Sequence, residues 1–102
     1  MNELDLLVGI IKEFPSVRSV ILFGSTARGT RRDDSDIDIL VLVEDGSMNR
    51  LDLSAEIRRR AYGKLVTALD LLVEGIGEFE ERKLLPTLER RIAREGRVLY
   101  AA

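Results

Sequence analysis

With 102 residues, the chain is long enough for one hydrophobic core and too short for two, so an activity that needs a second lobe has to borrow it from a partner. Apolar residues make up 45% and charged residues 33%, which excludes wholesale disorder, and the formal charge of -2 argues against affinity built on neutralising many nucleic-acid phosphates. Cysteine and histidine are both absent, which removes disulfides, thiol nucleophiles, Ser-His-Asp catalysis and the commonest transition-metal ligand, and leaves carboxylates for metal or acid-base work with a hard cation such as magnesium.

The N-terminal stretch MNELDLLVGIIKEF is acidic where a signal peptide would be basic. Its apolar part is far shorter than the ~20 residues a membrane span requires. A cytoplasmic, non-membrane protein is expected. Leu4, Leu7, Val8, Ile11 and Phe14 recur at helical spacing and Pro15 stops the pattern, so residues 2 to 13 form an amphipathic helix. Val17 to Phe23 reads as a strand running into a Gly24-Ser25 turn, followed by a turn or two of helix over 25 to 29 and a polar loop over 30 to 35. Ile37 to Val43 is apolar on both faces, as in an inner strand covered from both sides.

Arg50 to Tyr62 returns to helical spacing, with Leu53, Ile57 and Ala61 on one stripe, Arg58, Arg59 and Arg60 largely off it, and Gly63 as the stop. Such a charged run is read as the solvated side of a helix. KLVTALDLLV supplies a third strand over 65 to 73 with Asp70 inside it. Residues 78 to 95 are helical with a break or kink at Pro86, and Leu84, Leu85 and Leu88 are assigned to core packing. Arg97 to Tyr100 forms a last strand after Gly96. The order αβ(α)βαβααβ predicts an α/β (α+β) fold, a small sheet with helices packed on it, in one domain spanning 1 to 102.

Within this scheme three carboxylates stand out. Residues two apart on a strand share a face, so Asp36 and Asp38 project together at the mouth of the inner strand, where their mutual repulsion calls for a cation. Gly24 lets a ligand approach the backbone, and Ser25 adds a hydroxyl donor beside the N–H groups that open the following helix, which suits phosphate. Asp70, flanked by Leu69, Leu71, Leu72 and Val73, would be costly as an unpaired buried carboxylate, and a shared metal site would remove that cost. Each feature has a plainer reading: Gly-Ser as a turn, Asp-x-Asp as loop solvation or a cap, Asp70 satisfied by an amide or arginine. Jointly they are harder to dismiss, since Gly-Ser followed at this distance by Asp-x-Asp should arise in on the order of one chain in a hundred of this length. Asp34-Ser35-Asp36 offers a second register; Asp36 and Asp38 are preferred because they lead directly into the apolar strand.

Gly24-Ser25, ten residues, then Asp36-Ile37-Asp38 resembles the GSx10DxD signature of the minimal nucleotidyltransferases (MNT) of the DNA polymerase beta superfamily. The flanking SVILFGSTARGTRRDDSDIDILVLV and the final EGRVLY resemble the family as well. The resemblance implies a polymerase beta palm-like fold, a mixed sheet flanked by helices, with Mg²⁺ in a two-metal site and ATP as substrate. Carried over by position, Gly24 and Ser25 bind the triphosphate, Arg28 contacts phosphate, Asp36 and Asp38 hold both metals, and Asp70 completes the catalytic metal site. The reaction implied is in-line attack of an acceptor hydroxyl on the α-phosphorus with loss of pyrophosphate.

Larger members carry extra domains that grip DNA, RNA or an antibiotic, and none is visible here, so the acceptor is expected to be presented by another molecule. The resemblance points to the antitoxins of HEPN/MNT toxin-antitoxin systems, which transfer AMP to a tyrosine of the HEPN toxin. The competing readings are a catalytically weak or inactive binding module that neutralises its partner by contact, and a free-standing transferase for a small molecule or RNA end. Direct nucleic-acid binding is not expected, and a homodimer is left open.

Overall fold

The computed structural model describes residues 2–27 and 36–102, apart from the side chains of Ser25 and Thr26. In chain order the elements are α1 (Glu3–Ile11), β1 (Val17–Phe23), α2 (Gly24–Ala27), β2 (Ile37–Val43), α3 (Arg50–Ala61), β3 (Leu69–Gly75), α4 (Ile76–Arg82), α5 (Leu88–Glu95) and β4 (Arg97–Ala101). The longer helices begin where side chains satisfy their first N–H groups. Asn2 Oδ1 accepts from the Asp5 N–H at 2.8 Å, Asn49 Oδ1 from Leu51 and Asp52 at 2.8 and 3.2 Å, and Thr87 Oγ1 from Arg90 at 3.2 Å.

The sheet is mixed, in the order β3-β2-β1-β4: β1 runs antiparallel to both β2 and β4, and β2 runs parallel to β3. Strand alternation then sorts the core into two layers. Val20, Leu22, Ile37, Ile39, Val41 and Leu71 face α1 and α3, meeting Leu7, Ile11, Leu53 and Ile57. Ile21, Leu40 and Leu42 face the other way, onto Phe79 of α4 and Ile92 of α5. β2 is thus covered on both faces, and its six apolar residues are all buried, as its apolar run predicts.

Two elements depart from the sequence reading. β3 begins at Leu69 rather than Leu65, because the preceding segment is held off the ladder by Glu3. That carboxylate accepts from the Val66 N–H at 2.5 Å, the Thr67 N–H at 3.2 Å and the Thr67 hydroxyl at 2.6 Å, and Val66 stays 97% exposed. The helical pattern after β3 starts two residues early, at Ile76, and is fully broken into α4 and α5, since the Pro86 ring cannot donate to a helical ladder. Leu84, Leu85 and Leu88 sit at this corner and are exposed, at 75%, 56% and 46%, so the core assignment for them is corrected. Ile92 and Phe79 fill the layer instead. Among the described residues no helix is long and apolar enough to cross a membrane.

Candidate active site

Because β1 runs antiparallel to β2 while β3 runs parallel to it, the end of β1 and the starts of β2 and β3 lie on one edge of the sheet. Register makes this specific. Phe23 is the cross-strand partner of Asp38, and Asp38 is the cross-strand partner of Asp70. Partners on adjacent strands share a face, at a strand spacing of about 4.8 Å. Phe23, Asp38 and Asp70 therefore form one row, on the face covered by α4 and α5, with Ile21, Leu40 and Leu72 one row further in.

The turn after β1 is shaped around Asp38. Gly24 has φ +74°, a conformation that L side chains rarely adopt, and a Cβ placed there would lie 2.2 Å from Asp38 Oδ2. The glycine lets the carboxylate lie against the turn backbone. Beside it opens a cleft of about 270 Å³, walled by Phe23, Gly24 and Asp38 from the sheet and by Leu88, Arg91, Ile92 and Glu95 of α5. A larger groove of about 740 Å³ runs along α1 past Leu4, Val8 and Leu99. It does not include the carboxylate row, so chemistry favours the smaller cleft.

The remaining sequence candidates fall as follows. Asp36 is exposed and immediately precedes β2, outside the paired ladder. Asp70 is exposed too, so apolar burial does not force it into a metal site as its sequence neighbours suggest; it stands at the solvent-open end of β3, where Leu69 and Leu71 point to the opposite face. Ser25 lies in the first turn of α2, its side chain outside the description, and Arg28 lies outside the described residues altogether. Among the described residues no group of three or more carboxylates is close enough to hold a metal by itself. The Asp38–Asp70 pair nevertheless fits magnesium, an oxygen-seeking ion commonly held by one or two carboxylates with phosphate oxygens completing its shell.

Sequence reasoning missed the contribution of α5. Ile92 anchors the helix, and the i−1 and i+3 positions, Arg91 and Glu95, are thereby carried to the cleft. It also missed an acidic pair deeper on the same face. Glu74 of β3, four residues beyond Asp70, meets Glu89 of α5, which is 7% exposed and accepts from Arg82 Nε at 2.5 Å. Burial, and then the hydrogen bond and negative charge of Glu89, push the Glu74 carboxyl up to about 7. Glu89 is drawn below the usual range despite its burial, by hydrogen bonds with Glu74 and Arg82. Glu74 keeps the shared proton. The alternation Asp70, Leu72, Glu74 was the available signal.

The arginine run of α3 is engaged within the chain. Arg59 and Arg60 pair with Glu56, Arg60 reaches Glu13 at 3.4 Å, and Arg58 Nη1 donates to the Leu69 carbonyl at 3.1 Å.

Comparison with known proteins gives a consistent picture. The model of the polymerase beta nucleotidyltransferase family matches residues 6–102. A Methanocaldococcus jannaschii protein named as a candidate protein adenylyltransferase is 36% identical over 84 residues, covering 82% of this chain and 79% of its own. Among solved structures, a toxin-antitoxin crystal structure with AMP-PNP superposes with a TM-score of 0.68 at 23% identity, over 99% of this chain and 75% of that one. The complex of a tri-AMPylated Shewanella oneidensis HEPN toxin with its MNT antitoxin gives 0.54 at 19% identity, over 96% of this chain and 69% of that one. At such identities the structural matches speak for the fold.

Proposed function

Since the chain belongs to the polymerase beta nucleotidyltransferase family, we propose that it is a Mg²⁺-dependent adenylyltransferase that moves AMP from ATP to a tyrosine hydroxyl of a HEPN-domain toxin, and so acts as its antitoxin. The observation that carries this reading is the cross-strand row of Asp38 and Asp70 beside the Gly24 turn. Its support from relatives is the adenylyltransferase name of the archaeal protein and the AMPylated toxin bound to the Shewanella antitoxin. The chain would act as one domain, in the cytoplasm, which suits a protein without cysteine.

In this reading Asp36 and Asp38 hold the metals, Asp70 completes the site on the β3 side, and Gly24, Ser25 and Arg28 receive the triphosphate. Bound magnesium would supply Lewis acidity to the phosphate oxygens and lower the pKa of the attacking hydroxyl. The chain's own part is placement. Gly24 admits the triphosphate against the backbone, while exposed Asp70 leaves the β3 side open to a tyrosine brought by a second protein. The tyrosine hydroxyl releases its proton to solvent, its oxygen forms a bond to the α-phosphorus, the bond to the bridging oxygen breaks, and pyrophosphate leaves with the electron pair.

The test is transfer of label from α-³²P-ATP with Mg²⁺ to the cognate HEPN protein, with Asp36→Asn/Asp38→Asn as control. Label that vanishes in the control is the expected result. A second reading, neutralisation by contact alone, is favoured by the exposed Leu84 and Leu85, which offer a partner an apolar surface outside the carboxylate cleft. Toxin neutralisation that survives the double substitution, with no label transferred, would establish it.

A further inference from the structure

A cleft that takes a nucleoside triphosphate has an electrostatic problem here. Two of its walls carry carboxylates, Asp38 and Glu95, and a polyanion entering it is repelled unless cations meet it. Among the described residues that line the cleft, Arg91 is the one cation. Arg91 is exposed and, like Arg90, Arg94 and Arg97 outside the cleft, is not paired with any carboxylate among the described residues, whereas Arg18, Arg50, Arg59, Arg60 and Arg82 are each held in an ion pair. Ile92, 2% exposed in the layer beneath, fixes the turn of α5 that carries it, so the side chain is presented by a rigid element.

We infer that Arg91 is a substrate-binding residue that grips the β- and γ-phosphates of the nucleotide. The inference rests on the nucleotidyl-transfer reading and adds to it a residue outside the Gly-Ser and Asp-x-Asp signature. Sheet order decides which substrate the arginine meets. Asp70 lies on β3, Asp38 in the middle on β2, and Gly24 at the end of β1. α5 packs on the β1 side, where Ile92 meets Ile21. Arg91 and the Gly24 turn therefore flank Asp38 on the side away from Asp70. The acceptor hydroxyl approaches from the Asp70 side, so in-line displacement sends the leaving pyrophosphate toward Gly24 and Arg91. A planar guanidinium fork suits two phosphate oxygens at once and stabilises the charge that collects on pyrophosphate as the bridging bond breaks.

The experiment measures equilibrium binding of AMP-PNP with Mg²⁺, and of AMP by competition, to the wild type, Arg91→Ala, Arg91→Lys and Arg90→Ala. Arg90 lies on the same helix, is exposed, and does not line the cleft. Arg91→Ala should weaken AMP-PNP by about 10- to 100-fold and leave AMP within about twofold. Arg91→Lys should recover part of the loss, and Arg90→Ala should match the wild type. An unchanged AMP-PNP affinity in Arg91→Ala overturns the inference. So does an equal loss for AMP and AMP-PNP, which would mark a structural role, and so does retained nucleotide affinity with lost label transfer, which would assign the guanidinium to the acceptor. If the wild type itself binds no AMP-PNP, the nucleotidyl-transfer reading fails first and the inference falls with it.

Discussion

Replacing Gly24 by alanine separates two costs that the turn combines. The first is conformational: at φ +74° an L residue is disfavoured by roughly 1–2 kcal/mol. The second is steric, since the new Cβ would lie 2.2 Å from Asp38 Oδ2 and the carboxylate or the turn has to move, which adds about 1–3 kcal/mol. Gly63 supplies the control, with φ +77° and no atom within 4 Å of where an alanine methyl would sit, so Gly63→Ala should show the first cost alone. Gly24→Ala is expected to lose about 2–5 kcal/mol in urea denaturation, against about 1–2 for Gly63→Ala, or a further ~4–24 °C of melting temperature at roughly 4–8 °C per kcal/mol. Asp38→Ala deletes the group in the way. In a double-mutant cycle Gly24→Ala should therefore cost about 1–3 kcal/mol less on the Asp38→Ala background than on the wild type. Equal effects at Gly24 and Gly63, or strict additivity of Gly24→Ala with Asp38→Ala, would refute the packing of the carboxylate against the turn.

Asp38→Asn and Asp70→Asn should differ in kind: both lower label transfer by roughly 10²- to 10³-fold, but only Asp38→Asn also weakens AMP-PNP binding, because Asp70 sits on the acceptor side of the row. Parallel loss of nucleotide binding in the two variants would contradict that division. The raised pKa of Glu74 makes stability depend on pH: the folded state holds a proton that the unfolded chain releases above about 4.5, so this contribution is present below that value and is lost as pH rises to about 7. The full shift corresponds to about 3 kcal/mol, which screening of a half-buried carboxyl reduces to roughly 1 kcal/mol. Urea midpoints at about pH 5 and pH 8 should differ accordingly in the wild type and by much less in Glu74→Gln. Leu84→Ser and Leu85→Ser should change stability by no more than about 0.5 kcal/mol while Ile92→Ala costs about 2–5 kcal/mol, and comparable losses would return the leucines to the core.

Strand content was legible where one element's own residues decide the outcome. The apolar runs Val17 to Phe23 and Ile37 to Val43 coincide with β1 and β2, because burial on both sides leaves no competing use for such a run. It was less legible where a distant residue intervenes. Nothing local in KLVTALDLLV announces that Glu3, more than sixty positions earlier, takes the Val66 and Thr67 amides and delays β3 to Leu69. Leu84 and Leu85 illustrate the converse limit: hydrophobicity shows what a residue would gain by burial, but Pro86 turns the chain at that corner and leaves them outside.

The carboxylates are more instructive, because the burial argument for Asp70 fails while a different physical cause places it in the row. In the sequence Asp70 stands out for its apolar neighbours, as though a charge among leucines had to be buried. In a strand those neighbours alternate, and Leu69 and Leu71 face α1 and α3 while Asp70 faces the opposite side at the open end of the sheet. Cost of burial therefore cannot explain the residue. Register does, since parallel pairing of β2 with β3 sets Asp70 opposite Asp38, and a one-residue slip would turn Leu69, Leu71 and Val73 away from the layer of α1 and α3. The packing of Leu71 and its neighbours beneath the sheet thus fixes the separation of the two carboxylates above it. Substitutions at Leu71 should accordingly disturb the site through register, although Leu71 lies on the opposite face of the sheet.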